Sequence, residues 1–86
     1  MKTLKEMVEE PKNQPIYREF VKKMGWRGYS VTTEWDGSIA LFIKGKKKCL
    51  KNMVCFISSK TYTDWGPNER LKASLEPSIQ EFLSNL

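Results

Sequence analysis

The spacing of apolar residues changes period twice along this chain. Ile16, Phe20, Val21 and Met24 recur at helical spacing, with Arg18, Glu19, Lys22 and Lys23 largely opposite. From Tyr29 to Lys44 the period falls to two, and Leu71, Leu75, Ile79, Phe82, Leu83 and Leu86 then restore a helical stripe. Helices are therefore predicted at both ends of the chain, with strands between them.

Local signals set the expected boundaries. Thr3-Leu4-Lys5-Glu6 fits a capping box and predicts a short helix from Leu4 to about Glu10, closed by Pro11. A second helix is expected to begin around Asn13 to Pro15, because proline suits a first turn whose amide has no partner. Gly25 is expected to end it in a left-handed cap, with Trp26 folding back on Val21.

Asp36-Gly37 marks a hairpin. A two-residue loop would oppose Thr32 with Leu41 and Ser30 with Ile43, mixing polar and apolar side chains on one face. A three-residue loop, Trp35-Asp36-Gly37, forms a type I turn with Gly37 in a bulge and pairs Tyr29 with Ile43, Val31 with Leu41 and Thr33 with Ile39. The second register segregates the apolar residues and is the one expected, although Ala40 and Phe42 then fall on the polar side.

Asn52 to Ser58 reads as a third strand, with Met53, Cys55 and Ile57 on one side and Val54 and Phe56 on the other. Thr61 to Gly66 reads as a polar connection, and Gly66-Pro67-Asn68-Glu69 as the start of the last helix. Pro77 interrupts that helix, which either kinks there or ends near Leu75 and restarts. The expected architecture is α+β, a three-stranded antiparallel sheet flanked by N-terminal and C-terminal helices packed mainly on one face, in a single domain spanning 1–86.

Composition adds limits. A chain of 86 residues has room for one domain. Its hydrophobic content of 40% and aromatic content of 12% are those of a folded protein and argue against disorder. The longest apolar runs, Ile39 to Ile43 and Met53 to Ile57, fall far short of the ~20 residues that span a bilayer, so no membrane association is expected. The first residues form no apolar leader and the chain contains no glycosylation sequon, which makes a cytoplasmic location the expectation.

The chemistry that remains is sparse. There is no histidine, which removes the commonest general base and metal ligand at neutral pH, and Cys49 and Cys55 alone cannot complete a zinc site. A disulfide between them is not expected, since a strand over that interval holds their α-carbons too far apart. No serine sits in a glycine-flanked elbow, the carboxylates are scattered, and the glycines form no phosphate-binding pattern. Cys49 lies among lysines that would make a thiol more reactive, but reactivity alone is not catalysis. The sequence thus points to a protein that is not an enzyme and that needs no cofactor and no metal.

Charge is the feature with functional content. Of the net +5, residues 27–60 carry the whole excess, with seven basic and two acidic side chains, while residues 61–86 carry two and four. Five lysines fall within Lys44-Gly45-Lys46-Lys47-Lys48-Cys49-Leu50-Lys51, a stretch that should project into water between two strands. Lys46, Lys47, Lys48 and Lys51 are candidates for contact with a DNA or RNA backbone, supported by Lys44 and Arg27, with Trp26, Trp35 and Tyr62 available to stack on unpaired bases. The same lysines could equally serve solubility and protect a strand edge.

The rival expectation is a protein-binding module, an inhibitor or adaptor that engages an acidic partner through Trp35 and Phe42 on the sheet face or through the C-terminal helix. Monomer and homodimer are both compatible with the sequence. Helix, three strands and helix is also the element order of the double-stranded-RNA-binding domain. That family's lysine cluster opens its final helix, where this chain has Gly66-Pro67-Asn68-Glu69-Arg70, so nothing is carried over from it.

Overall fold

A computed structural model describes residues 2–86. Its elements run α1 (Leu4–Glu9), α2 (Gln14–Trp26), β1 (Tyr29–Thr33), β2 (Ile39–Ile43), β3 (Met53–Ile57), β4 (Thr63–Trp65) and α3 (Glu69–Ser84), with a short 3-10 turn (Leu50–Asn52) before β3. The strands form one antiparallel sheet in the order β1-β2-β3-β4. The class is α+β as expected, but the sheet has four strands instead of three, and the added strand lies within the segment read as a connection.

Three polar-centred residues, Thr63-Asp64-Trp65, are too short to display a period. What recruits them is a turn. Ser58 donates its amide to the Tyr62 carbonyl at 2.7 Å and Thr61 donates to the Ser58 carbonyl at 2.9 Å. The first hairpin uses the same bonding: Glu34 donates to Ser38 at 2.8 Å and Gly37 to Glu34 at 3.1 Å. In the first turn the left-handed position is Gly37, at φ 86°, and in the second it is Thr61, at φ 68°. A β-branched residue rarely adopts that conformation.

The first hairpin has the expected register, with Tyr29 opposite Ile43, Val31 opposite Leu41 and Thr33 opposite Ile39. Between β2 and β3 the register shifts: Leu41 faces Cys55, while Phe42 faces Met53. Val54 is thus an extra residue in a bulge, which allows both Val54 and Cys55 to enter the core. Met53 falls on the other face beside Phe42, reversing the side expected for each of Met53 and Val54.

The main core lies between the helices and one sheet face. Leu4 and Val8 of α1, Phe20 and Met24 of α2, and Leu75, Ile79 and Phe82 of α3 close over Ile39, Leu41, Cys55 and Ile57. Phe20 stacks on Phe82 with ring centroids 4.2 Å apart. Burial raises the Cys55 thiol to about 12, so it stays protonated at neutral pH.

Helix ends follow their side chains. Thr3 caps α1, accepting the Glu6 amide at 3.3 Å while its hydroxyl donates to the Glu6 carboxylate at 3.2 Å. Asn68 caps α3 by accepting from the amides of Arg70 and Leu71. α2 runs through Gly25 and stops at Arg27, and Gly28, at φ 94°, supplies the left-handed residue expected of Gly25.

α3 continues through Pro77 without ending. Ala73, whose carbonyl loses its partner to the proline, is exposed to water, and Leu75 and Ile79 anchor the helix on either side.

Candidate nucleic-acid interface

Strand direction sorts the exposed side chains onto two ends of the sheet. β1 begins, β2 ends and β3 begins at one end, so Trp26, Gly28 and the whole of Lys44–Lys51 gather there. The Lys44 amide donates to the Gly28 carbonyl at 3.0 Å, which ties the lysine loop to the end of α2. The turns Glu34–Ser38 and Ser58–Tyr62 occupy the opposite end, a strand length away.

The lysine loop has internal order. Asn52 donates from Nδ2 to the Lys47 carbonyl at 2.7 Å, and the amides of Lys46, Cys49 and Asn52 donate to the carbonyls of Ile43, Lys47 and Cys49. Lys44, Lys46, Lys47, Lys48 and Lys51 are all exposed. Among the described residues the ion pairs are Lys2–Glu10, Lys12–Glu10 and Lys23–Glu19, and none involves a loop lysine. The lysines around Glu10 hold its carboxyl below the usual range, chiefly through the hydrogen bond from Lys2.

Trp26, Ile43 and Leu50 are exposed apolar side chains at this end. Trp26 is 74% exposed, and Lys22 Nζ lies 5.0 Å from its ring centroid in a cation–π contact. That position replaces the expected fold-back on Val21. Leu50, in the turn before β3, is 84% exposed.

Arg27 does not join the loop. Its guanidinium donates to the Ser74 carbonyl at 3.1 Å, to the Ser74 hydroxyl at 2.7 Å and to the Ser78 hydroxyl at 3.1 Å, where it braces the α3 turns flanking Pro77. It is a structural tie between α2 and α3. Sequence position next to Trp26 gave no sign of this, because the partners lie far along the chain.

The two residues expected to contact protein separate as well. Phe42 is buried, at 5% exposure, because β2 is a central strand and Ser30 and Met53 flank it across the sheet. Trp35, 92% exposed, and Tyr62, also exposed, lie at the opposite end from the lysines. An open groove of ≈ 700 Å³ runs beside Trp35, between α1, α2 and β1, and Tyr17, Arg18 and Glu34 help line it.

No helix among the described residues is long and apolar enough to cross a membrane. No protein-family model matches the chain, and no curated protein or solved structure shows significant similarity to it.

Proposed function

We propose that this protein is a small non-enzymatic accessory protein whose lysine loop contacts a nucleic-acid backbone with little sequence specificity. The observation that carries this reading is the set of five lysines gathered on one ordered loop without a carboxylate partner among the described residues. Unneutralised ammonium groups at one end of a 10.1 kDa protein create a local positive potential that attracts polyanions and releases their counterions on contact.

Asn52 deepens the argument. By holding the Lys47 carbonyl it limits the conformations the loop must lose on binding, which lowers the ordering cost of the complex. It also withdraws from base reading the amide group best suited to it within this segment.

Salt titration tests the proposal. Binding to a short oligonucleotide is expected at ~50 mM salt and should weaken steeply as salt rises, with a slope near four contacts. Absence of binding at the low-salt limit would overturn it.

A second reading rests on Trp35, Tyr62 and the groove at the opposite end, which would suit a protein partner. Recovery of a specific protein after nuclease treatment of a cell lysate would favour it.

A further inference from the structure

Trp26 has a placement that backbone contact alone does not require. Its indole is 74% exposed at the end of α2, and the Gly28–Lys44 hydrogen bond fixes that helix end against the start of the lysine loop. Apart from its contact with Lys22, this large aromatic is left in water beside a cationic segment and adds little to the core. It offers a flat face that one kind of polyanion can use.

We infer, resting on the nucleic-acid reading above, that the ligand is single-stranded, with Trp26 as the platform on which an unpaired base stacks while Lys44, Lys46, Lys47, Lys48 and Lys51 follow the phosphates. A duplex hides the faces of its bases inside the stack and leaves an indole no partner except at a terminus. An unpaired strand exposes both faces of each base. Lys22 already covers the ring at 5.0 Å, so the stacked base would extend a cation–aromatic arrangement already present.

Leu50 supplies a second exposed apolar surface within the loop, suited to the face of a base or a sugar. The groups that read base edges are committed elsewhere. Arg27 is held by Ser74 and Ser78, and the Asn52 amide nitrogen by Lys47, which leaves the loop with flexible lysines suited chiefly to phosphate contact.

The test uses the full chain with three probes at ~50 mM salt: a 5′-labelled oligothymidylate of about twelve nucleotides, a mixed-sequence duplex of the same length, and phosphatidylserine vesicles. Single strand should bind at least about fivefold more tightly than duplex, with quenching of tryptophan fluorescence. Trp26→Ala should weaken single-strand binding about tenfold and remove most of the quenching, while Trp35→Ala should change neither. Both sites are exposed, and circular dichroism checks that each variant keeps the fold.

Duplex bound as tightly as single strand, with Trp26→Ala silent, would overturn the strandedness assignment and leave backbone contact standing. Failure to bind either nucleic acid would overturn both, and vesicle binding in that case would assign Trp26 and Leu50 to a lipid surface.

Discussion

The two ends of the sheet solve the problem of exposed polar chain differently. At the lysine end, charge of one sign collects on a loop whose order comes from a side chain gripping the backbone, Asn52 on Lys47. At the opposite end the turns are short and each is held by one side chain of its own, Asp36 accepting from the amide and the hydroxyl of Ser38 at 3.0 and 2.5 Å and the Ser58 hydroxyl accepting from the amides of Lys60 and Tyr62. One end concentrates electrostatic potential and the other stays near neutrality. The difference shows how one small sheet can carry two chemically distinct surfaces, since antiparallel strands deliver alternate connections to opposite poles.

Leu41→Ala should break this contrast most severely, because β2 connects both ends and Leu41 is fully buried between the sheet and the helices. A loss of about 3 kcal/mol is expected in denaturant unfolding, and both ends should loosen together. Combined Lys46→Gln, Lys47→Gln, Lys48→Gln and Lys51→Gln should instead act at one end only. Oligonucleotide affinity is expected to fall on the order of a hundredfold at low salt, with thermal stability unchanged or raised as mutual repulsion disappears.

The turn end answers to smaller changes. Thr61→Gly should stabilise the protein by about 0.5–1 kcal/mol, since relief of a left-handed β-branched residue outweighs the entropy of glycine, and the melting temperature should rise by a few degrees. Asp36→Asn sharpens the comparison through pH. Hydrogen bonds from the Ser38 hydroxyl and amide hold the Asp36 carboxyl below its ordinary 3.8. Its contribution is therefore complete above that value and is lost as pH falls through the lower, folded value. Acid titration of stability should show a shallower loss in the variant than in the parent.

Much of this architecture could be read from residue order, and the failures have physical causes. Register in the first hairpin was legible because Gly37 announces its turn and one choice of loop separates apolar from polar side chains. β4 was not, because its turn places Thr61 where glycine would have signalled the same geometry. The bulge at Val54 is a property of pairing between strands and leaves no mark on either strand alone. For the candidate site, the lysines lie where the sequence placed them, on an exposed connection. The loss of Arg27 to α3 and the separation of Trp35 and Tyr62 from the loop depend on tertiary placement, which no local pattern encodes.

The strict neighbour-to-neighbour strand order also bears on how quickly the molecule assembles. The outer hairpins close over short turns and the central one over the longer lysine loop, all local in sequence, so sheet formation belongs among the rapid events of folding. The stack of Phe20 on Phe82 joins the distant halves of the chain and is expected to close late. Stopped-flow measurements should then find that changes in the Asp36-Gly37 turn alter the folding rate, whereas Phe82→Leu mainly accelerates unfolding.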